Sequence, residues 1–567
     1  MRTLRSLALL AALLYSQGTR SQTAYPKGYF RNPMDIPIDL AGNFGEFRPN
    51  HFHTGLDIKT NQKENLPVYA AAEGFISRIS VSHTGYGNCL YLQHPNGYTT
   101  VYAHLNSFDE KIQQAVLQQQ LRARQWNVDF EPDSTTLYYS KGQRIAYSGN
   151  TGGSVAPHLH FEIRNTASQR VINALHFQFD IKDATPPVIR KAAVYNAAAS
   201  IYLQSPAVYV PVKAPDNQYI IPQTVITAYP VIKLGLTADD YMDNSTNNLG
   251  VYKTEMYADG QLLYSTLMDE LDFARNRCIN GYTDFKYKAE QQAWIQLLSR
   301  SYNNGLSFYK VLEQNGAIDL SDGRVKNIRI VTSDFYGNTS ELRFSVQYVQ
   351  GPGTPAIAQV RKAATAFDYR DRHYVFRTDA SAFYDDVLLD IRKQPGSNPW
   401  SCLLQLHHNR IPLASPQELY IRLLRPVPFE LRKKLVFIHE VKAQSLPGAQ
   451  AQTGLKASFV NGYAFARIRT MGNYFVAIDT VAPRMVAAVP SAWHPNTAVR
   501  VTVQEESTGI RSFKAFLGDQ FLVFSRKGNT FSYQVPAGLP KGTHRLRIET
   551  EDENENRREQ TFQVTVH

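Results

Sequence analysis

The chain has 567 residues, of which 43% are hydrophobic and 12% aromatic, and its formal net charge at pH 7 is +11. This length is too great for one hydrophobic core and predicts two to four domains, while the apolar content excludes a largely disordered protein. The positive charge is not gathered in a basic run with interleaved aromatic residues, so we expect no nucleic-acid partner.

The first 21 residues predict a secretory signal peptide. Arg2 and Arg5 precede a short apolar segment at residues 7–15, and cleavage is expected after Ser21. An uncleaved membrane anchor is the alternative, although the segment is shorter than the roughly 18 apolar residues of a membrane helix. We therefore expect export to the periplasm, the cell envelope or the exterior, with no transmembrane segment in the mature chain.

A first domain is predicted at residues 22–183, with its core at residues 53–165. Short strand patterns dominate this core, and His94-Pro-Asn-Gly97 predicts a hairpin turn between two of the strands. A segment rich in helix-forming residues interrupts them, with Ile112, Val116 and Leu117 at helical spacing. This pattern predicts a helical insertion at residues 107–140.

Five residues of this domain are candidates for chemistry. His53 and Asp57 lie in HTGLD, His104 ends TTVYAH, and His158 and His160 lie in APHLHFEI. Residues i and i+2 of a strand share a face, so the last two histidines emerge side by side. Two imidazoles and one carboxylate suit a zinc ion with an open position, and two histidines remain for proton transfer. Each motif alone is common on ordinary strands, and the combination is what indicates a site.

The rest of the chain predicts β-sandwich, Ig-like modules. Stiff proline-marked phrases begin at Asp183 and Asp479, and two polar turns, beginning at Asp334 and Asp552, each precede an alternating final strand. Chance recurrence of common turn chemistry is the alternative. The predicted modules are residues 184–350, 356–478 and 479–567, with a linker at residues 351–355.

The first domain resembles the lysostaphin/LytM-type zinc metallopeptidases, family M23. Beyond the five residues, the resemblance rests on LPVYAAAEGFI at residues 66–76, GYGNCLYLQHPNGYTTVYAH at 85–104 and KGQRIAYSGNTGGSVAPHLHFEI at 141–163. It covers about residues 53–165. The insertion at 107–140 is longer than in minimal members of the family.

The resemblance implies an antiparallel β-sheet peptidase fold and a role for each of the five residues. His53, Asp57 and His160 match the zinc ligands, whereas His104 and His158 match the two histidines that handle protons and the developing oxyanion. It also implies a zinc endopeptidase whose substrate is the peptide crosslinks of bacterial peptidoglycan.

Two other functions remain open from the sequence. The LytM-type fold could grip peptidoglycan or a partner hydrolase without turnover, although the complete ligand set argues against this. Alternatively, the protein could function mainly as an adhesin or scaffold through residues 184–567. For the enzyme, we expect these modules to hold it on its polymer or on a protein partner.

Overall fold

The computed structural model describes residues 25–351, 360–394, 398–442 and 450–567. The predicted signal peptide and most of the predicted linker lie outside these residues. The described chain is mainly β, as the sequence predicts, with helices α1 Glu110–Ala123, α2 Ile279–Tyr282 and α3 Phe285–Gln291. None of the described helices is long and apolar enough to cross a membrane.

The strands of the first domain surround one hydrophobic core. They are β1 Leu40–Gly42, β2 Phe47–Arg48, β3 His51–Phe52, β4 Leu56–Lys59, β5 Pro67–Tyr69, β6 Gly74–Val81, β7 Asn88–Gln93, β8 Tyr98–Leu105, β9 Ser107–Phe108, β10 Val128–Phe130, β11 Tyr138–Tyr139, β12 Arg144–Tyr147, β13 His158–Asn165 and β14 Val171–Ile172. The main antiparallel sheet has the order β1-β4-β13-β8-β7-β6-β10, and a small sheet has the order β5-β12-β9. Strands β4, β13 and β8 are therefore neighbours.

The side chains of strand β13 alternate between the hydrophobic core and the face that carries the candidate site residues. Leu159, Phe161 and Ile163 are completely buried in the hydrophobic core. His160 and Glu162 lie at the intervening positions and therefore emerge on the opposite face of the sheet. The sheet thus carries a polar site on one face while its other face anchors the domain.

The predicted helical insertion is confirmed by α1. The side chain of Asp109 caps its first turn by accepting a hydrogen bond from the Lys111 backbone N–H. Ile112 and Val116 pack into the core of the first domain, whereas Leu117 is 44% exposed. One apolar stripe therefore fixes the helix, and it is narrower than the sequence spacing suggests.

Each C-terminal module consists of two sheets that share one hydrophobic cluster, which is the layered arrangement of a β-sandwich. The strands of the first module are β15 Val188–Asn196, β16 Ala207–Tyr209, β17 Val212–Lys213, β18 Gln218–Ile220, β19 Val225–Thr227, β20 Val231–Asp239, β21 Lys253–Ala258, β22 Gln261–Leu267, β23 Glu270–Leu271, β24 Gln296–Leu297, β25 Tyr309–Leu312, β26 Ile318–Asp319, β27 Lys326–Ser333 and β28 Thr339–Tyr348.

The strands of the middle module are β29 Phe367–Asp371, β30 Tyr374–Thr378, β31 Ile391–Gln394, β32 Leu403–Leu406, β33 Gln417–Arg422, β34 Leu435–Lys442, β35 Gln450–Lys456, β36 Ser458–Val460, β37 Tyr463–Ile468 and β38 Gly472–Ile478. Those of the last module are β39 Arg484–Ala488, β40 Ala492–Trp493, β41 Ala498–Gln504, β42 Ile510–Leu517, β43 Gln520–Leu522, β44 Ser525–Lys527, β45 Thr530–Gln534, β46 Gly542–Asp552 and β47 Arg557–Val566.

The first module is joined to the first domain by shared structure. Strand β23 pairs with β14 and so extends the main sheet of the first domain. The Asn276 side chain bonds both backbone groups of Phe52, accepting from its N–H at 2.6 Å and donating to its carbonyl at 3.1 Å. Phe52 belongs to a buried cluster that includes Leu271 and Tyr282. The first domain and the first module therefore pack against each other across the predicted boundary at residue 183.

Candidate active site

Three adjacent strands bring the predicted site residues together. His160 of β13 lies opposite Asp57 of β4 on one side and opposite Ala103 of β8 on the other. His104 follows Ala103, and His158 lies two residues before His160 on the same face. Strand pairing thus gathers residues that are up to 107 positions apart, as in the pair His53 and His160.

Gly55 gives the HTGLD segment its shape. A Cβ atom at this position would lie 2.5 Å from the carbonyl oxygen of Phe161 and 2.9 Å from the ring of His160. No side chain fits there, so only glycine lets His53 and Asp57 approach the His160 ring from the same segment.

An irregular backbone directs the side chain of His104 toward the site. A step of two residues along β7, from Asn88 to Leu90, is matched by a step of three along β8, from Leu105 to Tyr102, so β8 bulges at this point. His104 adopts a left-handed conformation with φ of 59°. Its ring centroid lies 4.8 Å from that of His158. Burial, together with His160 and His158, lowers the pKa of His104 to about 3.

The three predicted ligand residues converge on one point. Asp57 Oδ1 lies 2.9 Å from both His53 Nε2 and His160 Nδ1, and these two nitrogens are 3.0 Å apart. All three side chains are buried. His158 Nε2 lies 3.3 Å from the same carboxylate oxygen. The ligand atoms of His53, Asp57 and His160 thus form a triangle, and the imidazole of His158 lies at its edge.

Hydrogen bonds at the far side of each ring determine what the triangle can hold. The carbonyl oxygen of Asn43 can only accept, so His53 Nδ1, at 2.7 Å, carries the ring hydrogen and Nε2 keeps a lone pair. His160 Nε2 likewise donates to Glu162 Oε1 at 2.9 Å, which leaves Nδ1 for a ligand. Lone pairs facing one another at this distance need a cation between them, and the donor set of two imidazoles and a carboxylate fits zinc.

A proton is the alternative occupant in the absence of metal. Burial alone lowers the pKa of His160, but its bonds to the carboxylates of Asp57 and Glu162 raise that pKa to about 9. The metal-free site therefore holds a proton on His160 Nδ1, shared with Asp57. A metal ion held at Nδ1 would take the place of this proton, so metal affinity is expected to fall as the pH is lowered.

Part of the first domain matches a known family model. Residues 51–129 match the model of peptidase family M23, a stretch that contains His53, Asp57 and His104. The first domain is called the M23 domain from here on, after this match. Residues 360–479 separately match the Zu5-like domain model and contain all strands of the middle module.

Relatives of the M23 domain include named peptidases. An uncharacterized metalloprotease of Haemophilus influenzae is 31% identical over 26% of this chain and 27% of its own length. Peptidoglycan DD-endopeptidase ShyA of Vibrio cholerae is 26% identical over 31% of this chain and 37% of its own. The lysostaphin catalytic domain of Staphylococcus simulans is 28% identical over 25% of this chain and 80% of that one, with a TM-score of 0.15. The chain thus spans about a third of the two relatives' lengths.

Glu162 is a residue of the M23 domain that sequence reasoning missed. Its side chain is completely buried and accepts hydrogen bonds from His160, Thr54 and Tyr86 at 2.6–2.9 Å. Burial alone would raise the pKa of Glu162, but the guanidinium of Arg164 and the His160 ring hold it well below its usual range. An ionised carboxylate therefore fixes the tautomer and the orientation of His160.

The signal for Glu162 is present in the sequence. In HLHFEIR, His158, His160, Glu162 and Arg164 alternate with apolar residues, so one strand face carries two imidazoles, a carboxylate and a guanidinium. A buried glutamate next to a ligand histidine needs a counter-charge, and the next residue on the same face supplies it. The role of Glu162 could therefore be predicted by extending the alternation from His160 to Glu162 and Arg164.

Replacing Glu162 with glutamine is expected to weaken zinc binding by about 10–100-fold, because partners that orient a ligand histidine typically contribute that much. The amide keeps the volume of the side chain but removes the charge that holds His160 and balances Arg164. Zinc affinity measured by competition with a chromophoric chelator checks this, with the exposed residue Glu110 changed to glutamine as the control. Equal affinity in the two variants would contradict the role of Glu162.

Proposed function

We propose that the chain is an exported zinc metalloendopeptidase that hydrolyses peptide crosslinks of bacterial peptidoglycan. The observation that carries the proposal is the triangle of His53, Asp57 and His160, in which three ligand atoms meet at 2.9–3.0 Å. An M23 relative named as a peptidoglycan DD-endopeptidase supports the substrate class. The predicted signal peptide supports export to the compartment where this polymer lies.

His53, Asp57 and His160 would hold the zinc ion. When bound, zinc would supply a coordinated water of lowered pKa and would polarise the scissile carbonyl. The carboxylate of Asp57 is kept ionised for this role: burial alone would raise its pKa, but His53, His158 and His160 hold it well below the usual range.

His104 and His158 are suited to move protons because their tautomers are set by the backbone. His104 Nδ1 donates to the carbonyl oxygen of Thr151 at 2.8 Å, and His158 Nδ1 donates to that of Ala156 at 2.8 Å. In both rings Nε2 is therefore the basic atom. One ring accepts a proton at Nε2 and passes it to the leaving amine. The other, when protonated at Nε2, donates a hydrogen bond to the carbonyl oxygen as negative charge develops there.

The test is turnover of a defined crosslinked muropeptide. We expect the zinc-loaded full chain to release two peptides per crosslink, detected by mass spectrometry, and we expect chelation of zinc to stop the reaction. Binding of the muropeptide without turnover would refute the enzyme and would support the alternative of a peptidoglycan-binding or regulatory protein.

A further inference from the structure

An acidic cluster recurs in two of the C-terminal modules. In the first module, one carboxylate oxygen from each of Asp183, Asp240 and Asp334 lies within 4.8 Å of the other two. In the last module, one carboxylate oxygen from each of Asp479, Glu505 and Asp552 also lies within 4.8 Å of the other two. The two clusters are far from the M23 site in sequence and contain no histidine, so they are a different kind of site.

The first and second acids occupy the same places in both modules. Five residues after Asp183, strand β15 begins at Val188, which pairs with Asp239, the residue before Asp240. Five residues after Asp479, strand β39 begins at Arg484, and its partner Gln504 immediately precedes Glu505. The acids of each pair therefore share one register, which a chance grouping of surface acids would not produce.

The third acid belongs to the same turn in both modules. The backbone N–H of Asn338 donates to Asp334 Oδ1 at 2.8 Å, and its side-chain amide donates to Asp334 Oδ2 and to the backbone carbonyl of Asp183. Asn556 makes the same three bonds, to Asp552 Oδ1, Asp552 Oδ2 and the carbonyl of Asp479. Each asparagine thus ties the third acid to the first.

One buried carboxylate in the first cluster lacks a partner. Asp240 is 3% exposed, and its Oδ1 atom accepts no hydrogen bond from any described residue. No lysine, arginine or histidine of the described chain forms a salt bridge with Asp183, Asp240 or Asp334, although 32 such bridges occur elsewhere. Asp240 and Asp334 are buried and Asp183 is half-buried, and burying carboxylates without a compensating positive charge is strongly unfavourable.

The electrostatics of the first cluster agree with a missing cation. Burial, together with the neighbouring Asp334 and Asp183, raises the pKa of Asp240 to about 8. Burial also raises the pKa of Asp183 to about 6. Three ionised carboxylates this close together repel one another, and a cation between them would relieve that repulsion.

We propose that Asp183, Asp240 and Asp334 bind a calcium ion, and that Asp479, Glu505 and Asp552 form an equivalent second site. The ligands are all carboxylate oxygens, with no nitrogen or sulfur donor, which favours a hard cation. Calcium suits them better than magnesium because it accepts irregular oxygen geometry, with water completing its shell.

The position of each site indicates what the ion does. Asp183 lies at the junction of the M23 domain with the first module, and Asp479 lies at the junction of the middle module with the last one. In each site the ion would link this junction residue to two loops of the following module. Calcium would therefore fix how consecutive domains are joined, which is a role outside the proposed hydrolysis.

The second site is expected to bind calcium less tightly. The ammonium group of Lys434 lies 2.7 Å from both Asn556 Oδ1 and the carbonyl oxygen of Asn554. This positive charge borders the second cluster, whereas no described lysine or arginine bonds Asn338, the equivalent asparagine of the first cluster. A nearby positive charge disfavours a cation, so calcium should fill the first site before the second.

The experiment titrates calcium into the zinc-loaded full chain after calcium has been removed by dialysis. Calorimetry should report two calcium ions per chain, with affinities of about 10⁻⁴–10⁻³ M as in extracellular modules, and calcium should raise the melting temperature. Asp240→Asn should lose the tighter site and Glu505→Gln the weaker one. Asp519→Asn, which changes an exposed acid in the last module, should keep both.

A measurement on the unaltered chain guards against variants that misfold. Terbium(III), a luminescent calcium substitute, should show emission sensitised by tyrosine, since Tyr336 lies in the same turn as Asp334. Added calcium should quench this emission. If the unaltered chain shows neither heat from calcium nor sensitised emission, or if both variants bind calcium as the control does, the proposal is overturned.

Discussion

Replacement of His53 and His160 with alanine is expected to remove zinc from the protein and to abolish hydrolysis. The double variant leaves only Asp57 of the triangle, and a single carboxylate does not hold zinc. Zinc contributes several kcal/mol of transition-state stabilisation in hydrolases, which corresponds to at least about a thousandfold in rate. Metal analysis of the purified variant, together with muropeptide turnover, measures both effects.

The matched control for this variant is His544→Ala. His544 is half-buried in the last module, and its ring bonds the carbonyl oxygen of Pro540 at 2.8 Å, so its loss should leave zinc content and turnover unchanged. Stoichiometric zinc in the double variant would show that the metal lies elsewhere, and the ligand assignment would then fail.

Replacement of His104 or of His158 with alanine is expected to lower turnover by about 10²–10⁴-fold, the usual contribution of a positioned proton-transfer group. Zinc should stay bound, because neither ring belongs to the triangle of ligand atoms. Measuring both turnover and zinc content distinguishes these histidines from the ligands, because loss of a ligand removes both zinc and turnover. Single-turnover rates at saturating zinc, with metal content measured on the same samples, check the prediction.

Two results would contradict the assignment of these histidines. Near-normal turnover in either variant with zinc in place would remove that histidine from the proposed proton transfer. Loss of zinc from the His158→Ala variant would instead make His158 a ligand, because its Nε2 already lies 3.3 Å from Asp57 Oδ1.

The grouping of the candidate site residues could be predicted from the sequence because these residues obey local rules. His158 and His160 share a face by strand alternation, and Gly55 explains how His53 and Asp57 turn toward that face. The same rules predicted the helical insertion and the β modules. The recurring Asp and Asn residues of these modules form equivalent turns in the structure. These features depend on spacing within short segments, which a single sequence displays directly.

Long-range contacts could not be predicted in this way. The bonds between Asn276 and Phe52 join residues 224 positions apart, and no periodicity in either segment signals the pair. The bulge that turns His104 toward the site depends on how β7 and β8 pair, which the composition of β8 does not specify. The pairing of β14 with β23 likewise involves strands of only two residues each.

That short pairing has a consequence for how such a protein can evolve. Strand β23 completes the edge of the M23 sheet, and Phe52, next to His53 in sequence, is buried against the first module. A recombination event that exchanged gene segments at residue 183 would give the M23 domain a new neighbour without this strand or this contact. The M23 domain and the first module therefore form one inherited unit.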